Sequence, residues 1–433
     1  MNAALPLSEL HASLSDPALS AMNFLNEVVE RYPDAISFAP GRPSEGEFRA
    51  TDVSRYLEVY TSYLAEQEGF SPERIAAELF QYGRTNGQIH RLIARTVAND
   101  EGIAVDPDNV VVTVGAQEGM LLVLRALFGS PEDVLLVSSP CYVGITGVAR
   151  LLDIETVAVP EGTDGMELAE LERISAEIRA RGKRPRALYL VPDFANPTGA
   201  SLPTAARLRL LEVAAAAELL VIEDNPYGFF RRVGEARPTL KALDSDHRVI
   251  YIGSFAKTCM PGARVGYVLA DQPVSGAHGR RTTLAQELSK IKSMVTVNTS
   301  AVSQAVIGGM LIANGCRLRD SNADAAKLYT QNLQLLLDLL ADRFEGRADI
   351  AWNRPDGGFF VVLTVPFTAD DAALERSARE HRVLWTPMNY FHRDGAGSHG
   401  IRLSCSAVTP EEIRAGVGRL AAFVAAEESR AAS

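Results

Sequence analysis

Between about residues 110 and 270, short apolar runs alternate with longer stretches whose apolar positions recur at helical spacing. The runs are "VVVTVG", "DVLLVSSP", "ALYLVP", "LLVIED", "RVIYIGSF" and "VGYVLA". Continuous apolarity over so short a length suits a strand buried on both faces, because a strand with one wet face would alternate. Helix-like segments separate several of them, including "QEGMLLVLRALF", "MELAELERISAEIRAR" and the alanine-rich "AARLRLLEVAAAAE". The pattern predicts an α/β fold: a large domain with a mostly parallel sheet covered by helices on both faces.

A smaller α+β domain is expected from the two ends of the chain. After a long helical region from about Thr283 to Arg343, "IAWNRPDGGFFVVLTVP", "VLWTPMNYF" and "GIRLSCS" read as strands of a small sheet. The closing "TPEEIRAGVGRLAAFVAAEE" reads as a helix, with Thr409 as N-cap, Pro410 at the first helical position and Glu412 completing a capping box.

Composition narrows the function. The 433 residues allow two domains, and 47% hydrophobic with 22% charged residues describes an ordered globular chain. A net charge of -11 argues against the basic face that nucleic acid or anionic membrane requires, which favours a small-molecule enzyme. No run of about 18 apolar residues occurs, and "MNAALPLSELHASLSDPALS" has no basic region followed by an apolar core, so a cytoplasmic location is expected. Cys141, Cys259, Cys316 and Cys405 form no CxxC pair, and the seven histidines show no HxxxH or HExxH spacing. Neither a disulfide framework nor a metal is expected.

In a sheet of this kind ligands sit beyond the carboxyl ends of the strands. Three successive runs end in suggestive residues: "ALYLVPDFANPTG" delivers Asn196, "LLVIEDNPYG" delivers Asp224 and Tyr227, and "VIYIGSFAK" delivers Ser254 and Lys257. A lone lysine is more often a solvated surface residue. At a strand end, with Arg264 nearby in "SFAKTCMPGARVGY", desolvation and a neighbouring cation would lower its pKa and free the amine to attack a carbonyl. The natural partner is an aldehyde cofactor carrying a phosphate, pyridoxal phosphate.

Each part of that cofactor finds a candidate. Asp224 would keep the ring nitrogen protonated through a charge-assisted hydrogen bond, while the adjacent Glu223 points to the opposite face of the strand. Asn196 and Tyr227 would donate to the phenolic oxygen. The phosphate needs a helix N-terminus, small residues and an arginine: Gly115 in "TVGAQEGM" exposes the amides of Ala116 and Gln117, and Ser254 and Arg264 complete the clamp. Tyr142 in "SSPCYVG" would stack on the ring. Taken singly, residues 196 to 199 also read as a turn, Asp224 as a helix cap and Tyr142 as a packed aromatic. Their joint occurrence at successive strand ends is what a purely structural account explains poorly.

"NPTG", "EDNPYG", "SFAKTCMPGARVGY", "PDGGFF" and "IRLSCS", in this order and across nearly the whole chain, resemble the fold type I pyridoxal-phosphate aminotransferases of class I/II. By that resemblance Lys257 matches the Schiff-base lysine and Asp224 the ring-nitrogen partner. Asn196 and Tyr227 match the ligands of the phenolic oxygen, Ser254 and Arg264 the phosphate clamp, and Tyr142 the stacking aromatic. Arg402 in "IRLSCS" matches the arginine that holds the substrate α-carboxylate beside Asn196. "FQYGRTNG" resembles a segment whose tyrosine reaches the phosphate of the neighbouring subunit, so Tyr82 implies a homodimer with shared active sites. "SFAPGRPSEGEF", with Gly41 and Arg42, matches the segment that closes over substrate, although an arginine beside Pro43 is as often a solvated loop residue. The implied layout is an N-terminal segment, 1–75, serving the small domain and dimer contacts, a cofactor domain, 76–315, and a C-terminal small domain, 316–433. The implied reaction moves an amino group between an α-amino acid and a 2-oxo acid with ping-pong kinetics, Lys257 acting as general base and acid.

The match departs from the family pattern in three places. "TVGAQEG" stands where "TxGSQQ" is usual, so Ala116 offers only its amide. Met388 and Asn389 replace a glycine in a loop expected to line the substrate pocket, and "DFANPTG" is expected to place Asp193 and Phe194 near the ring. The opening "SAMNFLNEVVERYPDAISFAPGRPSEGEF" looks most like the branch of aminoadipate-type and dihydroxyphenylglycine-type transaminases, some from secondary metabolism. Two alternatives stand beside transamination. Relatives with the same constellation also perform decarboxylation, γ-elimination or carbon-carbon bond formation. A non-catalytic effector sensor on this fold would need a DNA-binding module, for which the residues before "SFAPGRP" are too few and too little basic.

Overall fold

The computed structural model describes residues 5–16, 19, 30–44, 46, 49–162, 165–276, 279, 281–392 and 395–431. Much of the opening segment that resembles the aminoadipate-type branch, and residues 45, 47 and 48 of "SFAPGRPSEGEF", lie outside the described residues.

The apolar runs become the strands of an eight-stranded sheet: β1 (Val110–Thr113), β2 (Asp133–Ser139), β3 (Glu155–Gly162), β4 (Gly165–Met166), β5 (Arg184–Leu190), β6 (Leu220–Asp224), β7 (Val249–Ser254) and β8 (Gly266–Leu269). Their spatial order is β1-β8-β7-β6-β5-β2-β3-β4. The pairs from β7 through β6, β5 and β2 to β3 are all parallel, while β8 runs against both of its neighbours and β4 closes a hairpin on β3. Successive residues serve opposite faces. Leu135, Val137, Tyr189, Ile222 and Ile252 pack on one side with helix α2 (Gly115–Leu127) and helix α3 (Leu284–Val295), and Val134, Leu136, Leu188 and Val221 pack on the other. The same alternation sends Asp224 to the α2 side, and Glu223 to the far side, where its carboxylate accepts from the Leu240 and Lys241 amides at 2.8 and 2.7 Å.

The second sheet has four antiparallel strands, β9 (Ala351–Trp352), β10 (Phe360–Thr364), β11 (Thr386–Pro387) and β12 (Gly400–Ser404), in the order β9-β10-β12-β11. Leu333, Leu337 and Leu340 from the long helix Ala323–Phe344 share its core with Ile413, Val417 and Leu420 of the terminal helix Pro410–Ala431. That helix begins with the capping box read from the sequence: the Thr409 amide donates to Glu412 at 2.8 Å and the Glu412 amide to Thr409 Oγ1 at 3.2 Å. Ile36–Ser37 pairs in parallel with Val383–Leu384, and Phe38 enters the same core. The early helix α1 (Ala50–Glu66) lies instead with the large sheet, where Tyr60 and Leu64 pack with Val110, Val112 and Leu311.

Burial raises five carboxyls: Glu101 and Glu161 to about 7, Glu223 to about 8, Asp224 to about 6, and Asp100 above its ordinary value. From about pH 5 to 8 the folded chain therefore holds more protons at these sites than the unfolded chain, so stability falls as pH rises. Burial of His90 lowers its pKa and opposes the trend, as does Lys257, brought to about 8, at the upper end of the range. We expect the cofactor-free protein to melt at a higher temperature near pH 6 than near pH 8; scanning calorimetry giving the reverse order would refute the burial assigned to these acids.

Candidate active site

The carboxyl ends of β5, β6 and β7 and the turn after β1 converge on a cavity of about 390 Å³. Gly41, Arg42, Ala116, Gln117, Tyr142, Asn196, Asp224, Tyr227, Ser254, Lys257, Arg264 and Arg402 all line it, so one wall set contains almost every residue singled out from the sequence. Gly115 sits just behind this wall. Its φ of 69° places it in the left-handed region that glycine tolerates, and a Cβ there would lie 2.5 Å from Arg264 Nη2. Gly266 allows a second close approach, since a Cβ would meet Ala116 N at 2.8 Å. The first amides of α2 are thus held directly beside the Arg264 guanidinium, which makes a compact anion cradle.

Lys257 Nζ donates to Gly41 O at 2.6 Å. Burial, then the fields of Arg264 and Arg402, pull its pKa down to about 8 against a pull upward from Asp224. Asp224 carries the opposite perturbation: burial raises it, while the Tyr189 hydroxyl, 2.7 Å from Oδ2, and the Lys257 charge hold it down at about 6. Asp224 Oδ1 is buried with no hydrogen-bond partner among the described residues. An orphaned carboxylate oxygen at the end of a central strand is the acceptor that a protonated pyridine nitrogen requires, so the residues present fit pyridoxal phosphate.

Arg402 enters from the other sheet. Its guanidinium donates to Asn196 Oδ1 at 2.6 Å, Ala39 O at 2.5 Å and Thr386 Oγ1 at 3.1 Å, all neutral acceptors. It is clasped by the rings of Phe360 and Phe391, 4.6 and 4.9 Å from their centroids. Burial lowers its pKa to about 10. A desolvated guanidinium bonded to no carboxylate among the described residues, with Nε unpartnered, is disposed to take one from a ligand. On the ring side, the Tyr227 hydroxyl is bonded to Asn196, and burial raises its pKa and that of Tyr142, the latter to about 12, so both stay protonated.

Sequence reasoning missed Tyr189, although the two-residue period of β5 would have placed its ring on the Asp224 face. It also gave no role to Phe360 and Phe391. Two expectations are corrected. Asp193 is bound by Arg207 and Arg231, each at 2.7 Å, and Phe194 lies under the Arg231 guanidinium, so both turn away from the cavity. Met388 does not line the pocket but packs with Val143 and Phe391 behind Tyr142. Tyr82 stands apart, 84% exposed, in a separate cleft with Arg74 and Glu78.

A large α/β sheet with a lysine, an aspartate and an arginine around one cavity defines a pyridoxal-phosphate enzyme that works on amino acids. The chain belongs to the aminotransferase class I and II family, whose model matches residues 63–420. It is 48% identical over 422 residues to (S)-3,5-dihydroxyphenylglycine transaminase of Amycolatopsis orientalis, covering 98% of this chain and 95% of that one. It is 31% identical over 394 residues to 2-aminoadipate transaminase of Thermus thermophilus, covering 90% and 89%. The solved α-aminoadipate aminotransferase LysN of Thermus thermophilus, complexed with N-(5'-phosphopyridoxyl)-L-leucine, superposes with a TM-score of 0.79 at 29% identity, covering 98% of this chain and 99% of that one. The protein is a fold type I aminotransferase that uses pyridoxal phosphate to transfer amino groups.

Removing the Tyr189 hydroxyl takes away the hydrogen bond that favours the ionised form of Asp224, so its pKa must rise. We expect Tyr189→Phe to shift the acid limb of the kcat/KM profile to higher pH; an unmoved limb would show that Tyr189 does not set the ionisation of Asp224. In the apoprotein, amine labelling of Lys257 should rise through a midpoint near 8, whereas a midpoint at the ordinary lysine value of 10.5 would contradict the described environment.

Proposed function

We propose that this aminotransferase takes as donor an α-amino acid bearing a hydroxylated aromatic ring, of the 3,5-dihydroxyphenylglycine kind, and returns its 2-oxo acid. The observation that carries an amino-acid substrate is the pairing across the cavity of the Lys257 amine with the carboxylate-free Arg402 guanidinium. The kind of side chain is supported by the 48% identity to the dihydroxyphenylglycine enzyme over 98% of this chain. Cavity walls of Met120, Val191 and Tyr142 suit an aromatic ring, and Gln117, Glu30 and Arg42 offer polar groups to hydroxyls.

Pyridoxal phosphate supplies an aldehyde that condenses with amines and a protonated ring that draws electrons from the substrate Cα. Lys257 would be the amine that holds it and the base placed to take the substrate Cα proton. The depressed Lys257 pKa favours this role, because a useful fraction of the amine is neutral near physiological pH. Asp224 would face the ring nitrogen, Asn196 and Tyr227 the phenolic oxygen, and Tyr142 the ring face. Ser254, Arg264 and the Ala116 and Gln117 amides would hold the phosphate. Arg402 would turn from its neutral partners to the α-carboxylate, fixing the Cα–H bond toward Lys257. Gly41, whose carbonyl accepts from Lys257, and Arg42 would border the substrate.

The working unit is read as a homodimer, with 76–315 as the cofactor domain and 316–433 as the small domain. The exposed apolar side chains of Phe80, Tyr82 and Met294 support the dimer, and Tyr82 would reach the neighbouring subunit's phosphate. Four buried free cysteines suit a reducing, cytoplasmic setting. Among the described residues no helix is long and apolar enough to cross a membrane.

Donors should be compared in a half-reaction, following the cofactor spectrum and identifying the oxo acid by mass. We expect (S)-3,5-dihydroxyphenylglycine to give the highest kcat/KM among that compound, 2-aminoadipate, phenylalanine and leucine; a clear preference for 2-aminoadipate would overturn the arylglycine assignment. Lys257→Ala should lose at least about 10³-fold in turnover, the scale of a general base. Arg402→Met should chiefly raise KM, by about 10- to 100-fold, for loss of a charge-assisted contact.

A further inference from the structure

Lys292 lies on α3, is fully buried, and spends all three of its ammonium donors on one cluster. It donates to Glu118 Oε1 and Oε2 at 3.1 and 2.8 Å and to Thr296 Oγ1 at 2.9 Å, and the Thr296 hydroxyl in turn donates to Glu118 Oε1 at 2.6 Å. Glu118 Oε2 accepts from the Val114 amide at 2.6 Å, immediately before Gly115. Thr299 Oγ1 donates to Val112 O at 3.1 Å, holding the same strand end from the same segment. The carboxylate of Glu118 therefore stands in the first turn of the helix whose amides cradle the anion. Left uncompensated in a dry site, it would repel a phosphate dianion a few residues away and release its grip on the turn.

We propose that Lys292 is a positioning residue for the phosphate cradle: through Glu118 it fixes the Val114–Gln117 turn and cancels the negative charge that would otherwise oppose the phosphate. This rests on the reading of that turn as the phosphate site. The effect is specific to the phosphate and leaves the aldehyde end of the cofactor untouched.

Apoprotein resolved from the holoenzyme is titrated with pyridoxal phosphate and with pyridoxal, which lacks the phosphate, and both affinities are read spectroscopically. In Lys292→Met we expect pyridoxal phosphate affinity to fall by at least about tenfold while pyridoxal affinity changes by less than about twofold. The double variant Lys292→Met/Glu118→Gln, which keeps an acceptor for Val114 but removes the charge, should recover most of the loss. Should Lys292→Met not fold, Thr296→Val replaces it, with a smaller loss confined to pyridoxal phosphate. Equal losses for both ligands, no loss for pyridoxal phosphate, or no recovery in the double variant would overturn the proposal. A wild-type apoprotein that binds both ligands equally would instead defeat the reading of the turn as a phosphate site.

Discussion

Lys257, Arg264 and Arg402, with Arg42 at the N-terminal side, meet one buried carboxylate, Asp224, around a single cavity. An amine set between two guanidiniums and partly withdrawn from water is costly to keep charged, and the cost is relieved by loss of its proton: burial, then Arg264 and Arg402, bring Lys257 down to about 8. With Arg42, Arg264 and Arg402 beside Lys257 and only Asp224 and Glu30 opposing them, basic side chains outnumber acidic ones in the cavity lining. Such a site is complementary to a ligand with anionic groups at two places and an electrophilic carbon between them. The proposed placement, with a phosphate at Arg264, a carboxylate at Arg402 and an aldehyde at Lys257, would satisfy all three at once.

The two sheets are arranged around this requirement. The large sheet delivers Asp224 and Ser254 from neighbouring strand ends, with Asn196 and Lys257 in the segments just beyond, at a place where parallel β5, β6 and β7 bring their carboxyl ends together. Arg402 comes from the middle of β12 in the small sheet, and its bonds to Asn196 Oδ1 and Ala39 O join the loop after β5 to the N-terminal segment. The guanidinium we propose for the substrate carboxylate therefore holds three separate parts of the chain together. On that proposal, binding of substrate would exchange some of these neutral contacts for a charged one, linking recognition to the packing of the small sheet over the cavity.

The large sheet was legible because burial on both faces writes itself as unbroken apolar runs, and the residues lining the cavity because they stand where those runs stop. Tyr189 escaped notice for the same reason: inside an apolar run its ring reads as core, and only the pairing of β5 with β6 reveals that its hydroxyl meets Asp224. Asp193 and Phe194 were misplaced because nearness to Asn196 along the chain does not determine direction. Arg207 and Arg231, remote in sequence, draw Asp193 to the opposite side. Met388 was misplaced because an apolar residue in a loop buries against whatever apolar surface lies closest, here Val143 and Phe391.

Ala116 sharpens the role of backbone in this site. Where the family pattern has a serine hydroxyl, this chain has only an amide, so on the proposed reading the grip on phosphate would shift from a side chain that rotates to a turn whose shape must be imposed from outside. Gly115 permits the shape, Gly266 lets the neighbouring strand come close enough to support it, and the Val114 amide is tied to Glu118 at 2.6 Å. A loop that binds through its amides is only as good as the contacts that keep those amides aimed, since each misdirected N–H leaves both itself and the ligand oxygen unpaired. In this chain those contacts come from α3 and from the strand beside it, and the quality of the anion site is decided by residues that never touch the anion.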